Sequence, residues 1–292
     1  MFDAIGRRDA SVVRMSAATR TVRIGALDLE FEVLAGDTII GPAIERGAWA
    51  DHETALFRAH LAPGATAVDL GANVGWFAVQ AILAGAQVHA FEPAPEIAAV
   101  CERNVQRALV RRPGRAHVHR VAAGAERAKA RIALASDNFG DNRVLESGAA
   151  RPGDMGAGRE VEIEVAPVDD FVQGPVRMLK IDTQGSEWLA LQGARKLLAA
   201  SPVLGLLVEF WPYALRGASG RQLLEHLSEL GFTLGKATNA PYPMSVERIL
   251  AQVERRDRVK GGIDLYGARG TNFHVLGAKA RLHGFVRSLK ED

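Results

Sequence analysis

The stretch VDLGANVGWF, Val68 to Phe77, decides how this chain is read. Its apolar run through Leu70 reads as a strand, Gly71 and Gly75 bracket a tight turn, and a helix is expected from Val74. In a doubly wound sheet the first strand-to-helix turn is the usual ligand site, just beyond the carboxyl ends of the strands. Gly71 and Gly75 permit the turn and a close approach of helix to strand. Asp69 puts a carboxylate at the strand end, where a cationic group can be held. A dinucleotide site would want G-x-G-x-x-G, whose middle glycine lets the backbone approach a pyrophosphate. Here Asn73 stands at that place and no third glycine is in register, which argues against a pyrophosphate ligand.

Outward from this turn, strands and helices alternate. Strands are expected at 65–70, 87–92, 116–122, 176–182 and 203–210, with helices from Val74, Pro95, Ser186 and Gly220. That alternation predicts an α/β fold, a doubly wound, mostly parallel sheet of about seven strands covered on both faces. Two more strands are expected at 231–235 and 271–277. Between them SVERILAQVERRDRV places Val246, Ile249, Leu250 and Val253 on one helical face, and the segment at about 236–270 reads as an insertion, a lid or a homodimer surface. Residues 1–48 form an amino-terminal extension, with TVRIGALDLEFEVL alternating as a β-hairpin around Gly25 and Asp28. The main domain then runs over 49–292, opening with a helix in WADHETALFRAHL that ends at Pro63-Gly64. Strands at 131–136 and 161–166 flank a long glycine-rich loop at 137–160, of the kind that carries function or moves.

Glu92 ends the second strand, where an acid can accept hydrogen bonds from two ribose hydroxyls. S-adenosylmethionine offers both a ribose and an ammonium, and the pairing of Asp69 with Glu92 favours it. Trp76 opens the following helix beside the turn, either against the cofactor or in the core, and is counted with the cofactor candidates; Phe77 reads as core. Two further acids end strands: Asp182 in LKIDTQGSEW and Glu209 in LLVEFWP. Carboxylates behind such apolar runs rarely lack a partner or a task. A methyl transfer to oxygen is an in-line displacement that needs an aligned hydroxyl and a group to take its proton. Asp182 is the first candidate for that role and Glu209 the second. A divalent metal held by the two acids is the weaker reading, because no third ligand stands near them. The competing structural role is capping of the next helix, since Ser186 and Glu187 lie close by.

The bulk properties limit the alternatives. The 292 residues are 48% hydrophobic and 24% charged, ordinary values for a globular chain. A net charge of +2 shows no electrostatic footprint for nucleic acid, although a pI of 8.8 leaves room for a local basic patch. No apolar run reaches the length of a membrane span, and the amino terminus lacks the apolar stretch of a secretory signal, so a cytoplasmic location is expected. The single cysteine, Cys101, falls on the apolar face of IAAVCERNV and reads as a small core residue. The eight histidines show no zinc spacing.

Taken together, DLGANVG with FEP after the next strand, LKIDTQGSE followed by LQGA, LLVEF, and a closing TNF resemble the FkbM family of methyltransferases, over about Trp49 to Leu276. The resemblance implies a class I methyltransferase fold, S-adenosylmethionine as donor, and O-methylation of a hydroxyl on a sugar, glycolipid or specialised metabolite. Asp69, Gly71, Asn73, Gly75 and Glu92 match the donor-binding positions, and Asp182 matches the acid after the fourth strand. The family pattern commonly reads KIDVEG, whereas here Thr183 and Gln184 replace the valine and the glutamate. GDNRV, 140–144, matches a polar loop of the family, which turns Asn142 toward donor or acceptor. The partner implied is a small-molecule or glycan acceptor. Two other classes stay in view: an NAD-dependent oxidoreductase on a similar sheet, against which Asn73 counts, and an inactive binding module, against which Asp69, Glu92 and Asp182 count.

Overall fold

The structure is a computed structural model that describes residues 18–135, 138–145, 159–254, 262–271 and 273. A hairpin comes first, β1 (Thr19–Ile24) and β2 (Leu29–Leu34), closed by a short 3-10 turn and by Asp28 in the left-handed region at φ 47°. Two helices follow, α1 (Ile40–Glu45) and α2 (Asp51–Ala59). The alternating part then runs β3 (Thr66–Leu70), α3 (Trp76–Leu83), β4 (Gln87–Phe91), α4 (Pro95–Arg111) and β5 (Ala116–His119). Four short strands come next: β6 (Ala122–Ala123), β7 (Ala128–Ala133), β8 (Arg143–Leu145) and β9 (Glu160–Ala166). The chain returns through β10 (Met178–Ile181), α5 (Glu187–Gln192), α6 (Arg195–Ala200), β11 (Leu204–Phe210), α7 (Gly220–Glu229), β12 (Thr233–Lys236), α8 (Val246–Glu254) and β13 (Ile263–Arg269).

The main sheet has seven strands in the order β12-β13-β11-β10-β3-β4-β5. Its five inner and β5-side strands are parallel, and β13 lies antiparallel between β11 and β12. The central strands TAVDL, MLKI and LGLLVEF are almost wholly buried, as parallel strands covered on both faces must be. Alternation along β3 divides the interior in two. Ala67 joins the core under α2, α3, α4 and the hairpin, whereas Val68 and Leu70 join the core under α5, α6, α7 and α8. Strand order reverses between β3 and β10, so a crevice opens at their carboxyl ends. A separate four-stranded sheet has the order β6-β9-β7-β8.

The hairpin is tied down through one side chain of α4. Buried Asn104 accepts from the Glu32 N–H at 2.7 Å and donates to the Glu32 and Val74 carbonyls, each at 2.8 Å. Glu32 also pairs with Arg103 at 2.6 Å and Arg107 at 3.1 Å, and the Arg103 hydrogen bond leads in holding its carboxyl down to about 2. Cys101 is free and buried, as expected, and packs against Gly75.

The strand that pairs with both β11 and β12 is Ile263–Arg269, so the segment read as an insertion at 236–270 contains a strand of the main sheet. Most of 271–277 lies outside the described residues, as do 1–17 of the amino-terminal extension and much of the 137–160 loop. Helix α8 forms where its apolar face was read, with Ile249 and Val253 buried. Among the described residues no helix is long and apolar enough to cross a membrane.

Candidate active site

A cavity of about 560 Å³ opens at the strand reversal, inside the range of roughly 300–1,000 Å³ typical of small-molecule sites. Of the nine residues singled out from the sequence, Gly71, Asn73, Trp76, Glu92, Asn142, Asp182 and Glu209 line it; Asp69 and Gly75 do not.

On one wall the turn after β3 is shaped by its backbone. The N–H groups of Gly71 and Ala72 both donate to the Phe91 carbonyl, at 3.0 and 2.9 Å, which locks β3 to β4. Gly71 sits at φ 77°, and a Cβ there would lie 1.8 Å from the Asp182 carbonyl oxygen. Asn73 occupies the left-handed region at φ 49°, which asparagine tolerates better than most residues. Its N–H donates to Glu92 Oε2 at 2.9 Å, and the Ala94 N–H donates to Oε1 at 2.9 Å. Each Glu92 oxygen keeps a second lone pair for a ligand. Burial pushes this carboxyl up to about 7, against the two backbone donors that favour its ionised form.

The amides of Asn73 and Asn142 serve the loop above the cavity. Both donate to the Phe139 carbonyl at 2.7 Å, and Asn142 Oδ1 accepts from the Ala135 N–H at 2.9 Å. Trp76 is buried with its indole N–H on Thr54 Oγ1 at 2.9 Å and its ring edge-on to Phe31, so its polar end faces α2 and the hairpin core.

Asp69 departs from expectation. It is fully buried behind the cavity surface, and Lys180 Nζ lies 3.6 Å away. Burial raises its carboxyl above the ordinary range while Lys180 pulls it back. Lys180 is a site residue that the sequence reading missed. It stands opposite Asp69 in the β10–β3 register, lines the cavity, lies 3.2 Å from Asp182 Oδ2 and sits over the Phe77 ring at 5.0 Å. Burial alone would depress this ammonium; Asp182 and Asp69 more than offset it, and its pKa is raised. The period of a strand carried the signal, since residues 180 and 182 share a face.

Asp182 and Glu209 end adjacent parallel strands and face the same cavity. Between them lies Gln184, whose Nε2 donates to Asp182 Oδ1 at 2.8 Å and to Glu209 Oε2 at 2.6 Å. Burial, then the charges of Asp182, Glu187 and Asp264, push the Glu209 carboxyl well above its ordinary range. Asp264 is its antiparallel partner on β13, and Glu53 of α2 and Trp211 complete this wall. Asp182 does not cap α5: its partners are Lys180 and Gln184. Glu187 instead secures the loop, accepting from the N–H groups of Thr183 and Gly185 at 3.0 Å each. Among the described residues no group of three or more histidine, cysteine, aspartate or glutamate side chains is arranged to hold a metal ion.

The methyltransferase FkbM domain model matches residues 69–234, from the buried acid of β3 into β12. No curated protein matches the sequence. The crystal structure of methyltransferase FkbM from Methylobacillus flagellatus KT is similar at 20% identity and a TM-score of 0.43, over 70% of this chain and 43% of that one. This chain thus spans less than half the length of that protein. Magnesium protoporphyrin IX methyltransferase from Synechocystis PCC 6803, solved with bound SAM, is 12% identical at a TM-score of 0.44, over 80% of this chain and 85% of that one. SMU.1697c, a protein from Streptococcus mutans described as a methyltransferase and solved with SAH, is 10% identical at 0.43, over 74% and 95%. The domain match covers more than half of the sequence: the chain belongs to the FkbM methyltransferase family.

Proposed function

We propose that this FkbM-family chain transfers a methyl group from S-adenosylmethionine to a hydroxyl of a small-molecule or glycan acceptor, with Asp182 receiving the hydroxyl proton. One observation carries the reading: a single cavity has the Gly71–Glu92 turn as one wall and the Asp182, Gln184 and Glu209 group as the other. The donor fits the first wall. Glu92 faces the cavity with free lone pairs for ribose hydroxyls, and the turn holds Asn73 where a pyrophosphate would need glycine. The buried Asp69 then acts on the donor side through Lys180 and the turn, not by direct contact.

When bound, S-adenosylmethionine supplies an electrophilic methyl group and leaves as a neutral thioether. On the opposite wall Asp182 accepts the proton as the acceptor oxygen forms its bond to the methyl carbon and the carbon–sulfur bond breaks. Lys180, 3.2 Å from Asp182 Oδ2, balances the charge of that carboxylate. Glu209, its carboxyl pushed upward by burial and by the neighbouring acids, hydrogen-bonds the acceptor, and Asp182 is the base. Calorimetric titration with S-adenosylhomocysteine and with NAD tests the donor, and isotope transfer from labelled S-adenosylmethionine across a panel of hydroxylated acceptors tests the reaction. Binding of NAD in place of S-adenosylhomocysteine would overturn the reading.

A further inference from the structure

We propose that Gln184 is a positioning residue of the acceptor wall: its side-chain amide bridges Asp182 and Glu209 and holds the two carboxyl groups in fixed relation to the transferred proton. The inference rests on the transfer proposed above. Its first support is geometric. One amide nitrogen reaches Asp182 Oδ1 at 2.8 Å and Glu209 Oε2 at 2.6 Å, and a primary amide has two N–H bonds to give.

The second support is the rigidity of the turn that presents it. Gln184 lies in the left-handed region at φ 51° and Gly185 at φ 99°. Glu187 holds the loop on both sides of Gln184, through the Thr183 and Gly185 N–H groups and the Thr183 hydroxyl at 3.2 Å. The Arg216 N–H donates to the Gly185 carbonyl at 2.9 Å, and a Cβ at 185 would lie 2.3 Å from the Ala214 carbonyl oxygen. A residue kept in such a strained backbone state by several independent contacts is pre-organised.

The third support is charge. Asp182 and Lys180 face Glu209 from β10, Glu187 from α5 and Asp264 from β13, and Glu53 of α2 stands behind Asp264. Two cations answer these acids: Lys180 sits against Asp182 and Asp69, and Lys236 of β12 acts on Asp264. A neutral donor between Asp182 and Glu209 lets both accept. A third carboxylate at 184 would set three acids against one another.

The test reads Glu209 itself. The full chain is labelled with carboxyl-13C glutamate, the Glu209 resonance is identified by its loss in Glu209→Gln, and its pH titration is followed by NMR. Gln184→Met keeps the shape and removes the donor, and should raise the midpoint by about one pH unit; Gln184→Glu should raise it further. Unchanged S-adenosylhomocysteine affinity and melting temperature show that each variant is folded. With an active acceptor, both variants should lose at least about tenfold in kcat with the KM for the donor unchanged. Midpoints equal to wild type in both variants would overturn the proposal, whatever Asp182→Asn does. Full transfer by Asp182→Asn would instead remove Asp182 from the reaction and leave the titration result standing.

Discussion

The wall of the cavity proposed for the donor is made mainly of backbone, with Gly71, Ala72 and Asn73 fastening β3 to β4 through main-chain N–H groups, while the wall proposed for the acceptor is made of side chains. There Lys180, Asp182, Gln184 and Glu209 meet from two strand ends and one loop. A wall of backbone admits few substitutions, because the conformations themselves require glycine or asparagine. A wall of side chains on a fixed frame can be altered residue by residue, and that freedom suits the half of the site that meets the acceptor.

The bluntest way to break the distinction is Gly71→Ala, since Gly71 belongs to one wall and touches the Asp182 backbone of the other. Left-handed strain costs about 1–3 kcal/mol and the overlap a further 1–3 or so. Thermal denaturation should show a large loss of stability, and an unshifted melting curve would contradict the geometry. Asp182→Asn separates the walls: turnover should fall at least about a hundredfold while S-adenosylhomocysteine binds as in wild type. Glu92→Gln is its mirror image. Calorimetry should show about a tenfold weaker donor, roughly 1.5 kcal/mol, with turnover at saturating donor little changed.

A finer probe of the donor wall is pH. Burial raises Glu92 to about 7, so below that pH it carries a proton and accepts poorly. Donor binding favours the ionised form, and S-adenosylhomocysteine affinity should therefore climb several-fold between about pH 6 and pH 8, then level off. A flat profile, or one falling with pH, would remove Glu92 from the donor contact. The smallest effect is expected of Trp76→Phe, which removes the hydrogen bond to Thr54: about 1 kcal/mol of stability by denaturant titration, with donor affinity unmoved.

The same division explains what could be read in advance. The donor wall is local, and DLGANVG with Glu92 showed its strand, turn and acid, because glycine spacing reports backbone shape directly. Asp182 and Glu209 were legible as acids at strand ends. Lys180 was legible only through its strand period with Asp182, whereas Asp264 meets Glu209 through the register of β11 against β13, and Gln184 and Glu53 arrive from a loop and from α2. The strand Ile263–Arg269 went unread for a related reason: IDLYGAR pairs on both sides and is buried at most positions, so it lacks a clean polar–apolar alternation.

Asn104 gives the hairpin a stake in the chemistry. Its single side chain grips both main-chain groups of Glu32 and the carbonyl of Val74, one residue beyond Asn73 in the donor turn. A peeling hairpin would strip a partner from that turn, and a turn steadied by its ligand would hold the hairpin more firmly. Such coupling runs equally in both directions. On the proposed reading, the amino-terminal strands would be ballast for donor binding, and the donor ballast for them.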